Sequence, residues 1–130
     1  MVPESGWGGS SAAVSGRKIV LVVEDDVLLR LAISETLREA GYFVLEAATS
    51  ESAMVLLASY DVALLFTDIK LDGVLDGTAL ARVARRHRPD VIVIATSGME
   101  EPTGLDPDVT FVPKPYQPEM IVDLMNDRLN

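Results

Sequence analysis

An α/β domain, a parallel β-sheet with helices packed on both faces, is predicted by three features of the chain. Short apolar runs alternate with stretches whose apolar residues recur every three or four positions, in the order β-α-β-α-β-α-β-?-β-α. The runs are continuously apolar rather than alternating, as strands buried on both faces require. Several of them also end abruptly in polar chemistry. The stretch Ala63-Leu64-Leu65-Phe66-Thr67-Asp68 ends in a carboxylate, and the run 19–23 enters Glu24-Asp25-Asp26. The run 91–95 enters Thr96-Ser97, and the run 110–113 delivers Lys114. In a parallel sheet these groups meet at the carboxyl edge, where open α/β folds place their ligands.

Each element can be justified in turn. Residues 1–16, rich in Gly and Ser and without periodicity, read as a flexible tail that carries the single tryptophan, Trp7. The first strand spans 18–23. Asp26 is a plausible N-cap for a helix in which Leu28, Leu29, Ala32, Ile33, Thr36, Leu37 and Ala40 recur at helical spacing, and Gly41 is its stop. The second strand covers 43–45. Thr49 caps the next helix, Glu51 suits its positive end, and Ala53, Leu56 and Leu57 supply the buried face. After the strand 63–68 comes a loop with Gly73 and Gly77, then a helix over 77–88 burying Leu80, Val83 and Ala84. Pro89-Asp90 breaks the chain before the strand at Val91. Pro118 suits the first turn of the last helix, whose apolar face carries Ile121, Val122, Leu124, Met125 and Leu129.

Composition narrows the function. A chain of 130 residues with 48% hydrophobic content is long enough for one well-buried core, here over 17–130. A formal charge of −9 argues against a surface that binds nucleic-acid phosphates. The absence of cysteine rules out disulfides and thiol chemistry and fits a reducing compartment. No run approaches a membrane span, and the start lacks a signal peptide's basic and apolar regions. A soluble cytoplasmic protein, binding neither nucleic acid nor membrane, is expected.

Glu24, Asp25 and Asp68 are the chemistry-bearing cluster. Carboxylates a few ångströms apart in a partly buried site repel by several kcal/mol, so they hold either protons or a divalent cation. Oxygen-only ligands with room for water suit Mg2+. Asp26 and Asp72 read as solvated and stand outside the site. Lys114, stiffened by Pro113 and Pro115, can neutralise a phosphoryl group or a carboxylate over an anionic pocket, although by itself it would read as an exposed loop lysine. Ser97 before Gly98 offers a hydroxyl, or simply forms a turn. His87, within Arg85-Arg86-His87-Arg88, reads as part of a cationic helix C-terminus on the edge away from the site.

Together, Val22-Val23-Glu24-Asp25-Asp26, the Asp68 strand end, Ser97-Gly98 and Lys114-Pro115-Tyr116 resemble the receiver domain of two-component response regulators, over residues 18–129. The resemblance implies a doubly wound, flavodoxin-like (βα)5 fold with strand order 2-1-3-4-5. It also implies a stand-alone switch, phosphorylated by a histidine kinase or phosphotransfer protein and acting on an unknown downstream protein. In that pattern Asp68 is the phosphoacceptor, and Mg2+ is held by Asp25, Glu24, Asp68 and the Lys70 backbone carbonyl. Ser97 is the switch hydroxyl, Lys114 pairs with the phosphoryl group, and Phe111 moves with Ser97. Such a protein is not an enzyme beyond its own phosphoryl transfer and autodephosphorylation, whose rate Lys70 and Met99 would tune. The chain departs from the family in having Ile69-Lys70 where Met-Pro is usual, with a loop one residue longer before Asp76-Gly77.

Two rivals fare worse. A dehalogenase-like aspartyl-phosphate hydrolase needs an acid two residues after the nucleophile, where this chain has Lys70. A flavodoxin-like cofactor binder needs a phosphate-cradling loop after the first strand, where Glu24-Asp25-Asp26 would repel phosphate.

The segment between Ser97 and Lys114 is too short for the family's fourth helix and carries Pro102, Gly104 and Pro107. An interior proline costs a helix about 3 kcal/mol. A loop is expected there, with at most one helical turn near residues 99–103. In the resembling family the face made by the fourth helix, fifth strand and fifth helix changes shape on phosphorylation. Without that helix, reordering of the loop 98–108 is expected to carry the signal, read together with the Tyr116 region.

Overall fold

The computed structural model describes residues 13–130; Trp7 and most of the expected tail lie outside that span. The elements are β1 (Ala13–Val14), β2 (Arg17–Val23), α1 (Val27–Glu39), β3 (Phe43–Ala47), α2 (Ser50–Ser59), β4 (Leu64–Asp68), α3 (Gly77–His87), β5 (Ile92–Ser97), β6 (Thr110–Pro113) and α4 (Pro118–Leu129). Five strands run parallel in the order β3-β2-β4-β5-β6, the predicted 2-1-3-4-5 order when counted from β2.

Register aligns the functional edge. Val23 pairs with both Ala47 and Thr67, Asp68 with Thr96, and Ser97 with Pro113. Glu24, Asp68, Ser97 and Lys114 therefore emerge at one level of the sheet. Successive strand residues point to opposite faces, and the core divides accordingly. Ile19, Leu21, Val23, Leu65 and Val93 pack with Ala53 and Leu57 of α2 and Leu80 and Ala84 of α3. Val20, Val22, Leu64, Phe66 and Ile94 pack with Ile33 and Leu37 of α1 and Ile121 and Met125 of α4.

The predicted caps form. Asp26 Oδ1 accepts from the Leu28 and Leu29 amides at 3.0 and 3.2 Å, and Thr49 Oγ1 from the Ser52 amide at 3.2 Å. Asp76, at the end of the loop after β4, also caps α3 by accepting from the Ala79 amide at 2.8 Å.

Two expectations change. The tail does not extend to residue 16: Ala13 and Val14 pair antiparallel with Lys18 and Arg17. Ser15 and Gly16 both take positive φ, 52° and 78°, as a tight two-residue hairpin turn requires. Val14 then packs at the core margin. In α1, the apolar repeat exceeds the buried face. Ile33, Ser34 and Leu37 are buried, whereas Leu28 is 79% exposed and Ala32 also faces solvent.

Between β5 and β6, residues 98–109 form turns and no helix. The loop is tied back to α3 by a 2.6 Å ion pair from Arg85 Nη1 to Asp106 Oδ2, and Val109 N donates to Asp106 O at 2.9 Å. Prolines and glycine deny this segment a helical ladder, as the sequence indicated.

Candidate functional site

Strand ends supply the site. The Glu24 amide extends the β2–β3 ladder to Ala47 O at 3.1 Å, so the first acid is still held as a strand residue. Asp68 closes β4, and the Lys114 amide bonds to Ser97 O at 2.9 Å, placing that lysine directly beyond β6. From there its ammonium crosses the sheet edge. Lys114 Nζ lies 2.7 Å from Glu24 Oε1 and 3.2 Å from Asp68 Oδ2.

Among the described residues, Glu24, Asp25 and Asp68 each offer a carboxylate oxygen, all within 4.8 Å of one another. Glu24 is 2% exposed and Asp68 7%. Burial pushes the Glu24 carboxyl above its usual range, against the opposing pull of Lys114 and the Asp26 amide, which donates to Glu24 Oε2 at 3.1 Å. Burial also works against the charge on Lys114, but the facing Glu24 and Asp68 carboxylates outweigh it and hold its pKa above the ordinary lysine value. This pocket can bind a cation and an anion side by side. Its hard, oxygen-only donor set, two buried carboxylates and the half-buried Asp25, fits Mg2+.

The other predicted residues lie around this centre. Ser97 is 5% exposed, and its Oγ accepts from the Met99 amide at 3.1 Å, so the hydroxyl caps its own turn. Phe111 is half-buried on β6, opposite Ala95. Lys70 is exposed in the loop between β4 and α3. With Ile69, Asp76, Ser97 and Met99 it lines an open depression beside Asp68. His87 is exposed at the far end of α3. Eleven residues of helix place it about 15 Å along the axis from Gly77, so it takes no part.

Four more residues shape the site, and of these only Tyr116 has a functional part in the sequence reading. Arg30 of α1 donates from Nη1 to Glu24 O at 2.9 Å and pairs through Nε with Glu46 Oε1 at 3.3 Å. It thereby ties the main chain of the first acid to β3. A charge inside a strand, Glu46, and an arginine one turn past the N-cap were the available signals. Gly77 abuts the site from below: a Cβ there would lie 2.2 Å from the Asp68 backbone oxygen. The Tyr116 ring packs edge-on against Phe66, with centroids 5.5 Å apart. Burial first, and then the Glu24 charge, push its phenol up to about 12. Thr96, buried beside Asp68, has an Oγ1 without a hydrogen-bond partner.

Comparison with known proteins agrees with this arrangement. A model of the response regulator receiver domain matches residues 20–126. The sensor kinase CckA of Brucella abortus (strain 2308) is 28% identical over 123 residues, covering 89% of this chain but only 13% of that kinase. The chain thus corresponds to a small part of that relative. The crystal structure of a response regulator receiver protein from Sinorhizobium medicae WSM419 superposes with a TM-score of 0.83 at 26% identity, covering 90% of this chain and 98% of that one. The receiver domain of the hybrid histidine kinase CckA gives 0.76 at 31% identity, over 86% and 99%. Among the described residues no helix is long and apolar enough to cross a membrane. The aligned strand ends, the acidic cluster and the family match lead to one assignment: this chain belongs to the response regulator receiver domain family of two-component signalling.

Proposed function

We propose that the protein is a phosphorylation-dependent switch that accepts a phosphoryl group on Asp68 from a histidine kinase or phosphotransfer protein. One observation carries the reading. The Asp68 carboxylate ends a buried strand with Lys114 Nζ at 3.2 Å and with oxygens of Glu24 and Asp25 within 4.8 Å. An Asp68 oxygen attacks phosphorus in line, and the bond from phosphorus to the donor imidazole breaks. Lys114 follows the incoming negative charge and neutralises an equatorial oxygen. Glu24, Asp25, Asp68 and the Lys70 backbone carbonyl are the residues that would hold Mg2+. When bound, Mg2+ supplies charge neutralisation for the carboxylate and the transferring group. The Ser97 hydroxyl leaves the Met99 amide to donate to a phosphoryl oxygen, and Phe111 repacks with it. Lys70 and Met99 flank the acyl phosphate and set how readily water reaches it. The donor has a surface to meet: Val27, Leu28 and Leu31 of α1 leave apolar side chains exposed just past Asp25.

Metal binding tests the site. Mg2+ that binds only the folded state should raise the melting temperature by several degrees, since a hundredfold excess over Kd adds about 2.7 kcal/mol. Asp25→Ala should show a smaller gain, because it removes a ligand and relieves repulsion together. A wild-type melting curve indifferent to Mg2+ would count against the reading.

The output is read from the loop that replaces a helix. Amide exchange over residues 98–108 should be fast in the free protein and slow when beryllofluoride, a phosphoryl mimic, is added with Mg2+. Ser97 begins this loop, so recruiting its hydroxyl pulls on the Met99 amide and on the turns that follow. Slow exchange before activation, or none of the expected slowing after it, would refute a loop-borne signal.

A further inference from the structure

The loop between β4 and α3 is fastened at two places. At its base the Gly77 amide donates to Ile69 O at 2.7 Å, and the Ile69 amide to Thr96 O at 2.9 Å. At its tip it meets the first turn of α2. Glu51 Oε2 accepts from the Val74 amide at 2.8 Å, and Ser50 Oγ accepts from the Leu75 amide at 3.0 Å. The Ser50 amide donates to Asp72 O at 3.4 Å. The fit is close: a Cβ on Gly73, whose φ is +115°, would lie 2.3 Å from Glu51 Oε1 and 2.6 Å from Ser50 Oγ. Ser50 is completely buried.

Capping does not explain these contacts. Thr49 already caps α2, so the Ser50 and Glu51 side chains are free to reach across to the loop. Glu51 is held below the usual carboxylate range by its own amide and then by that of Val74, as an anion gathering donors should be. The loop has need of such a fastening. It lacks a proline that would fix one φ, and several exposed residues in sequence carry a large ordering entropy.

We propose that Ser50 and Glu51 are positioning residues for metal binding: they clamp the 69–76 loop and so hold the Lys70 main chain in one place, two residues beyond Asp68. The proposal rests on the receiver reading above, with the Lys70 carbonyl as a metal ligand. Neither residue touches the acidic cluster directly, so the effect passes through the loop. It belongs with the outer contacts that orient metal ligands, whose loss commonly costs 10–100-fold in affinity.

The test compares Glu51→Ala, Glu51→Gln and Ser50→Ala by calorimetric Mg2+ titration, by amide exchange over residues 70–76, and by the melting temperature without metal. Glu51→Ala should bind Mg2+ about tenfold more weakly, with faster loop exchange and a metal-free melting temperature close to wild type. Ser50→Ala should weaken binding in the same direction. Glu51→Gln keeps an oxygen acceptor for the Val74 amide and should retain affinity near wild type. If Glu51→Gln is as weak as Glu51→Ala, the effect is through-space charge and the clamp is overturned. Wild-type affinity and slow exchange in Glu51→Ala overturn it equally. A wild-type protein that neither binds Mg2+ nor takes up phosphate from acetyl phosphate overturns the receiver reading and this proposal together. One that does both while Glu51→Ala matches it overturns the clamp alone.

Discussion

Asp68→Asn is expected to abolish phosphorylation by acetyl phosphate and Mg2+, while the wild type gains a single phosphoryl group that hydroxylamine removes. The chain has 20 acidic residues, so selectivity must come from surroundings and not from carboxylate chemistry alone. Among the described residues two buried acids of the cluster face Lys114, but both Glu24 oxygens are engaged, by that ammonium at 2.7 Å and by the Asp26 amide at 3.1 Å, whereas Asp68, which closes its strand, meets the ammonium through Oδ2 at 3.2 Å. Attack elsewhere would leave the developing charge facing water, without the preorganised groups that lower the barrier. Asparagine preserves shape and removes one of three mutually repelling charges, whose pairwise cost at such separations is a few kcal/mol by order of magnitude. The variant should therefore fold at least as well as the wild type in the absence of metal, and lost labelling cannot be blamed on unfolding. Intact-mass measurement decides the matter. A fully labelled Asp68→Asn protein would move the acceptor to another residue.

Gly77→Ala should be strongly destabilising, costing about 2–3 kcal/mol in urea unfolding. The added Cβ would lie 2.2 Å from the Asp68 backbone oxygen, 2.8 Å from Ile69 Cα and 2.9 Å from the Asp68 carbonyl carbon. These are main-chain atoms at the end of a central strand and cannot swing aside as a side-chain tip would. Relief requires either withdrawing the first turn of α3, with loss of the 2.7 Å bond from the Gly77 amide to Ile69 O, or displacing Asp68 itself. Labelling should then slow as well, because in-line attack tolerates little misplacement. Gly98→Ala is the control. Nothing lies within 4 Å of a Cβ there, so its stability should stay within about 0.5 kcal/mol of the wild type. A Gly77→Ala protein equally unaffected would show that the two segments can separate freely.

The close main-chain approach at Gly77 was invisible in the sequence, where it read as one of two loop glycines. The same holds for Glu51, which read as a charge suited to a helix end and proved also to grip Val74, 23 residues further on. Arg30 and Glu46 look like unremarkable surface charges until β2, β3 and α1 are assembled around them. In α1 the periodicity identified a helix but not its buried side. Apolar residues cover so much of its circumference that the sheet and α4 had to choose, taking Ile33 and Leu37 and leaving Leu28 and Ala32 outside. The hairpin strand Ala13–Val14 is too short to show any pattern, and its turn depends on Ser15 accepting a positive φ.

What the sequence determined by itself is what short-range chemistry encodes. Continuous apolar runs demand strands buried on both faces. Asp26, Thr49 and Pro118 start their helices, and Pro102, Gly104 and Pro107 forbid one between Ser97 and Lys114. Abrupt polar endings mark where Glu24, Asp25, Asp68, Ser97 and Lys114 leave the core, and parallel pairing carries them to one edge. Only the tertiary structure decided how far apart those groups stand, which side of α1 is covered, and which residues brace the loop behind the site. Those outcomes depend on register, helix rotation and backbone approach, to within an ångström, between segments distant along the chain. No local pattern of residue types records them.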